Sequence, residues 1–162
     1  MNVWRKIEEN FEKWILIASL IAMVLIVFMQ VVLRWIGHAT VWAEELSRYI
    51  MLYQVWIGAA YAVRENAHIR ITALVNRFTG QKKQYSELIV LTIWMIFAIW
   101  LTAEGIVLVN KISLMGQLSA ALRIPMTVPY ASVPVGGALM TVRLIQKTVL
   151  TLKENHQEKE GT

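Results

Sequence analysis

The chain has 162 residues, of which 57% are hydrophobic and only 17% charged, with a formal net charge of +5 and a mean hydropathy of +0.50. A water-soluble domain of this length needs more polar surface than that. The absence of cysteine excludes disulfides, thiolate metal centres and dithiol redox chemistry. The positive charge does not read as a nucleic-acid footprint, because it flanks apolar blocks instead of forming one basic patch.

In chain order, residues 1–13 place Trp4, Ile7 and Phe11, with Trp14 next, at helical spacing among Arg5, Lys6, Glu8, Glu9 and Glu12. This predicts an amphipathic helix lying on the membrane surface. Residues 14–36, 42–63 and 88–109 are blocks of about 22 residues, enough as helix to cross roughly 30 Å of hydrocarbon. The first is longer than the core of a signal peptide, and no small-x-small cleavage site follows it, so it is read as a retained span. Between the second and third blocks, Ile71, Leu74, Val75 and Phe78, flanked by Arg70 and Arg77, predict a second surface helix over 66–80. A fourth block, 128–145, follows a loop marked by Pro125. It carries Pro129 at its first turn, Pro134, which predicts a kink, and Gly136 and Gly137, which permit close approach of another helix. Residues 146–162 form a polar tail, read as frayed over its last ten or so residues.

The fold class is therefore an all-α integral membrane protein: four transmembrane helices in a domain spanning 14–145, plus amphipathic interfacial helices. Twelve of the sixteen Lys and Arg residues lie before the first block, between the second and third, or from Arg143 onward. The positive-inside rule then places both termini in the cytoplasm and the short turn between blocks one and two on the outer side.

That turn is flanked by polar residues. Glu44 and Arg48 are four apart and share a helix face. Glu44 and Glu45 sit where the helix dipole favours negative charge, and Arg34 sits where it favours positive charge. With Gln30, the interfacial Trp42 and Glu104 of the third block, they form one polar layer in the outer third of the membrane. Charge at such depth faces protein or water, so the layer is expected to meet a neighbouring helix of this chain or another. It reads as an internal salt-bridge belt, as a belt that also contacts a partner subunit, or as an ion relay through Glu104 or Glu44.

There is no G-x-x-x-x-G-K-[ST] phosphate loop and no H-E-x-x-H, and His38, His68 and His156 all fall outside the spans. No nucleophile is paired with a base, so no catalytic, cofactor or metal residue is assigned and the chain is not read as an enzyme. Four helices without inverted halves are also few for a complete secondary transporter.

The run Arg34, then "WAEELSR" (Trp42 to Arg48), "GAA" (Gly58 to Ala60) and "AVRENAHIRI" (Ala62 to Ile71) resembles the small membrane subunit of TRAP transporters, the DctQ-type family. So do "IPM" around Pro125, "PVGG" from Pro134, and Arg143. The resemblance covers roughly residues 12 to 145. Two positions depart from the family pattern: Tyr53 stands where a tryptophan is usual, and Thr72 where an aspartate is usual.

The resemblance implies an accessory subunit in the bacterial inner membrane that braces a large, elevator-type membrane subunit during sodium-driven import of an organic acid. It implies sodium sites in that partner and none here, a periplasmic binding protein that delivers the solute, and contact with membrane lipids. Within the family the chain is most similar to the separately encoded small subunit of sialic-acid systems. On this reading the polar layer marks the subunit interface, and Arg48 and Glu45 are its buried charges. A self-sufficient homo-oligomeric transporter or channel, with Glu104 as coupling acid, is the competing expectation. A non-transporting adaptor is a third.

Overall fold

The computed structural model describes residues 3–64 and 81–160, with side chains described for 12–63, 86 and 88–152. It contains α1 (Val3–Trp35), α2 (Val41–Arg64), α3 (Gln81–Met115), the single turn α4 (Thr127–Tyr130) and α5 (Ser132–Glu160). The surface helix expected over 66–80, with Ile71, Leu74, Val75 and Phe78, lies outside the described residues, as do the side chains of Trp4, Ile7 and Phe11.

Among the described residues, three helical stretches are long and apolar enough to cross a membrane: Glu12–Trp35, Leu88–Met115 and Thr127–Leu152. Helix α2 has the length, at 24 residues, but Glu44, Glu45 and Arg48 crowd its first two turns.

The helices outrun the predicted blocks. Residues 1–13 and 14–36 were expected as two elements, yet α1 runs unbroken for 33 residues, about 50 Å at 1.5 Å per residue. No proline or glycine interrupts it, and a change from amphipathic to apolar composition does not by itself break backbone hydrogen bonding. Helix α3 likewise reaches from Gln81 to Met115, beyond the expected 88–109, where Gly116 at φ +62° ends it. Helix α5 continues to Glu160, so the described part of the tail is helical. Between α4 and α5, Ala131 keeps helical dihedrals (φ −62°, ψ −17°), and its amide donates to Thr127 O at 2.9 Å. Pro134 lacks the N–H that would donate to the carbonyl of Tyr130, and it falls in the first turn of α5, where that loss is tolerated.

The four long helices form one layer, in the spatial order α1, α2, α5, α3, with α4 wedged between α3, α2 and α5. Alanine and glycine bring the inner pair of seams close. Ala60, Val63, Leu91, Ala98, Met140 and Leu144 make the core where α2 and α3 meet α5. Gly136 lies against the backbone of Trp56, so that a Cβ there would meet Trp56 Cα at 3.1 Å. Gly105 abuts Pro134 in the same way at 2.9 Å. The close contact expected of the glycine pair is thus formed.

Among the described elements, helix α1 packs only on α2. The α1–α2 seam carries a hydrogen bond from Gln54 Nε2 to Ser19 Oγ (3.0 Å). From Lys13 to Trp35 no residue of α1 is buried in this chain. Leu20, Val24 and Phe28 are exposed on it, as are Ile93, Ile96 and Trp100 on α3. Among the described residues, the single layer leaves its broad faces apolar and uncovered.

Candidate functional site

One end of the layer, where α1 leads into α2, is built around the start of α2. Arg48 donates from Nη2 to Glu44 Oε1 at 2.9 Å, the one-turn pair the spacing predicts. It is not a buried pair: the two side chains are 67% and 59% exposed. Glu45, the next residue, turns the other way. Its carboxylate accepts the Tyr49 hydroxyl through Oε1 and the amides of Ala121 (2.8 Å) and Leu122 (3.0 Å) through Oε2.

Those amides belong to the connector between α3 and α4, which is itself ordered. Ser119 N donates to Ile124 O at 2.8 Å and Met126 N to Gln117 O at 2.9 Å, around an isolated bridge between Leu118 and Pro125. Ser119 Oγ accepts the amide of Ile124, and Arg123 takes the left-handed conformation at φ +56° that closes the turn. Tyr53, one turn below Tyr49, donates to Val128 O at 2.7 Å. One edge of α2 therefore staples the connector and α4 in place through Glu45, Tyr49 and Tyr53.

The expected polar layer is thus not one belt. Glu44 and Arg48 pair at the surface, and Glu45 serves the connector. Gln30 is half-buried, while Arg34, Trp42 and Glu104 are exposed in this chain. No ion pair among the described residues joins Arg34 or Glu104 to the others. Carboxylates on successive residues of a helix point about 100° apart, so Glu44 and Glu45 could not serve the same partner. Trp14 is exposed at the start of the apolar part of α1.

The buried charge pair lies elsewhere. Glu12 of α1 and Arg143 of α5 meet at the opposite end of the layer, with side-chain exposures of 6% and 13%. Arg143 donates to Glu12 Oε1 from Nε at 2.9 Å and from Nη2 at 2.7 Å, and from Nη1 to Gln146 Oε1 at 2.7 Å. The pair spans 131 positions of sequence and ties α1 to a helix it does not otherwise pack against. Both residues stood in view in the sequence, Glu12 as one polar position of an amphipathic stretch and Arg143 as a flanking cation. The missing signal was that they sit at the same level of the layer on non-neighbouring helices.

Comparison with known proteins follows this geometry. The family model for the DctQ component of tripartite ATP-independent periplasmic transporters matches residues 23–154. The chain is 29% identical over 147 residues to the isethionate TRAP transporter permease protein DctMQ of Oleidesulfovibrio alaskensis, covering 86% of this chain and 23% of that protein. It is 31% identical over 110 residues to the C4-dicarboxylate TRAP transporter small permease protein DctQ of Rhodobacter capsulatus, covering 68% of this chain and 48% of that one. The sialic acid TRAP transporter small permease protein SiaQ of Vibrio cholerae is 25% identical over 156 residues, covering 94% and 88%. The chain thus spans less than half the length of the first two relatives and most of the third.

Proposed function

Because the chain belongs to the DctQ family of tripartite ATP-independent periplasmic transporter components, we propose that it is the static small subunit of such a transporter, bracing a large membrane subunit that carries the solute. The observation that carries this reading is the single helical layer with both apolar faces uncovered. A layer of this kind does not bury its own hydrophobic surface, and a second membrane protein is the natural cover for one face while lipid takes the other. The glycine-tight seams and the Glu12–Arg143 tie make the layer stiff, which suits a part that stays put while its neighbour moves.

Helix α2 completes the set of four spans on this reading, with its charged first turns at the outer surface. Both termini lie in the cytoplasm, and the membrane is the inner membrane of the cell. The solute is an organic acid imported with sodium, and a periplasmic binding protein delivers it. The named relatives act on isethionate, C4-dicarboxylates and sialic acid. Sialic acid is the solute we favour, since that small permease protein is matched over most of both chains.

Reconstitution tests the reading. Proteoliposomes holding this chain with its large subunit, the loaded binding protein and an inward sodium gradient take up solute, and liposomes with this chain alone do not. Uptake by this chain alone would instead establish a self-sufficient transporter.

A further inference from the structure

Helix α3 stands at the end of the layer, against α5 and the short α4 only. Its buried edge is the row Leu91, Ala98, Gly105 and Ile112, which repeats every seven residues and faces α5. A second row, Ile93, Phe97, Trp100, Glu104 and Lys111, lies between about 100° and 160° round the helix. Every member of it is exposed in this chain.

Glu104 is the only charged residue between Leu88 and Asn110. It lies six residues inward of Asn110, about 9 Å along the helix. Among the described residues it makes no ion pair or hydrogen bond, and Lys111 is two turns away, too far to reach it. A carboxylate at that depth is costly against hydrocarbon and is normally matched by a partner in protein or water. Just inward of it, Phe97 and Trp100 form an aromatic platform with ring centroids 6.2 Å apart.

We propose that this row of α3 is the seat of a transmembrane helix of the large membrane subunit, which presents an arginine or lysine at the depth of Glu104. The inference rests on the bracing role proposed above. A second copy of this chain does not fit the seat. Two copies in one membrane run α3 in the same direction, so a two-fold contact through this row would set Glu104 against Glu104 at equal depth. Like charges so placed repel strongly in a low dielectric. A cation from a different chain removes the conflict, and the aromatic platform suits a guanidinium or ammonium group approaching Glu104.

The chain lacks cysteine, so single cysteines or photo-crosslinking residues report cleanly in the co-expressed complex. Probes at Phe97 and Trp100 capture the large subunit, whereas probes at Ile99 and Ile106, on the opposite flank of α3, do not. Glu104→Lys lowers recovery of the large subunit about tenfold or more, and Glu104→Gln, which retains a hydrogen-bonding group, lowers it less. Capture from Ile99 and Ile106 alone, or unchanged recovery with Glu104→Lys, overturns the seat while leaving the bracing role intact. A wild-type chain that recovers no large subunit overturns both.

Discussion

Arg143→Leu is the substitution with the largest stability cost that the geometry predicts. The wild-type guanidinium gives Glu12 two charge-assisted hydrogen bonds, 2.7 and 2.9 Å long, at a site where the carboxylate is 6% exposed. The variant removes both donors from this buried carboxylate, at a cost of about 1.5–3 kcal/mol per hydrogen bond to the charged group. Arg48→Ala breaks an ion pair whose members are 67% and 59% exposed, and costs no more than about 0.5 kcal/mol. Replacing both buried charges, with Glu12→Leu and Arg143→Leu together, restores most of the loss, because apolar residues of similar volume need no counter-charge. Denaturation in mixed micelles, read from the fluorescence of the seven tryptophans, gives all three values. If Arg143→Leu and Arg48→Ala were equally mild, or if the double variant were worse than Arg143→Leu, the claim that this pair ties α1 to α5 would be refuted.

Glu45→Ala releases the connector from α2, and amide exchange at Ala121 and Leu122 rises about tenfold or more, since both amides lose their charged acceptor. Glu44→Ala leaves exchange at those amides unchanged, and mass-spectrometric exchange distinguishes the two. Gly136→Ala forces a methyl group into the Trp56 side chain and backbone, and overpacking of this kind costs about 1–3 kcal/mol. The same micelle denaturation detects it, and a neutral or stabilising result would mean that the α2–α5 seam has room to open.

The helical content and three of the four expected spans were legible in the sequence, because apolar blocks of span length have few other readings. Element ends were less so. The composition change near Trp14 resembled a boundary, yet nothing there breaks a hydrogen bond, and α1 runs through it. The polar layer shows the same limit at finer scale. Spacing alone established the Glu44–Arg48 pair, because one helical turn determines it. Spacing could not show that Glu45 accepts amides some 76 positions away, nor that Glu12 and Arg143 meet, because those contacts depend on the order of helices in the layer. That order, with α5 between α2 and α3, is set by where glycines allow close approach. Gly136 and Gly137 were visible, but their partners Trp56 and Thr102 were not.

The central claim is that this layer is completed by another membrane protein. The most direct test is to co-express the tagged chain with the large subunit, extract the pair gently and measure the mass of the purified particle. The account predicts one copy of this chain bound to one copy of a much larger polytopic protein. A particle made only of copies of this chain, with the large subunit present in the membrane but unbound, would contradict it.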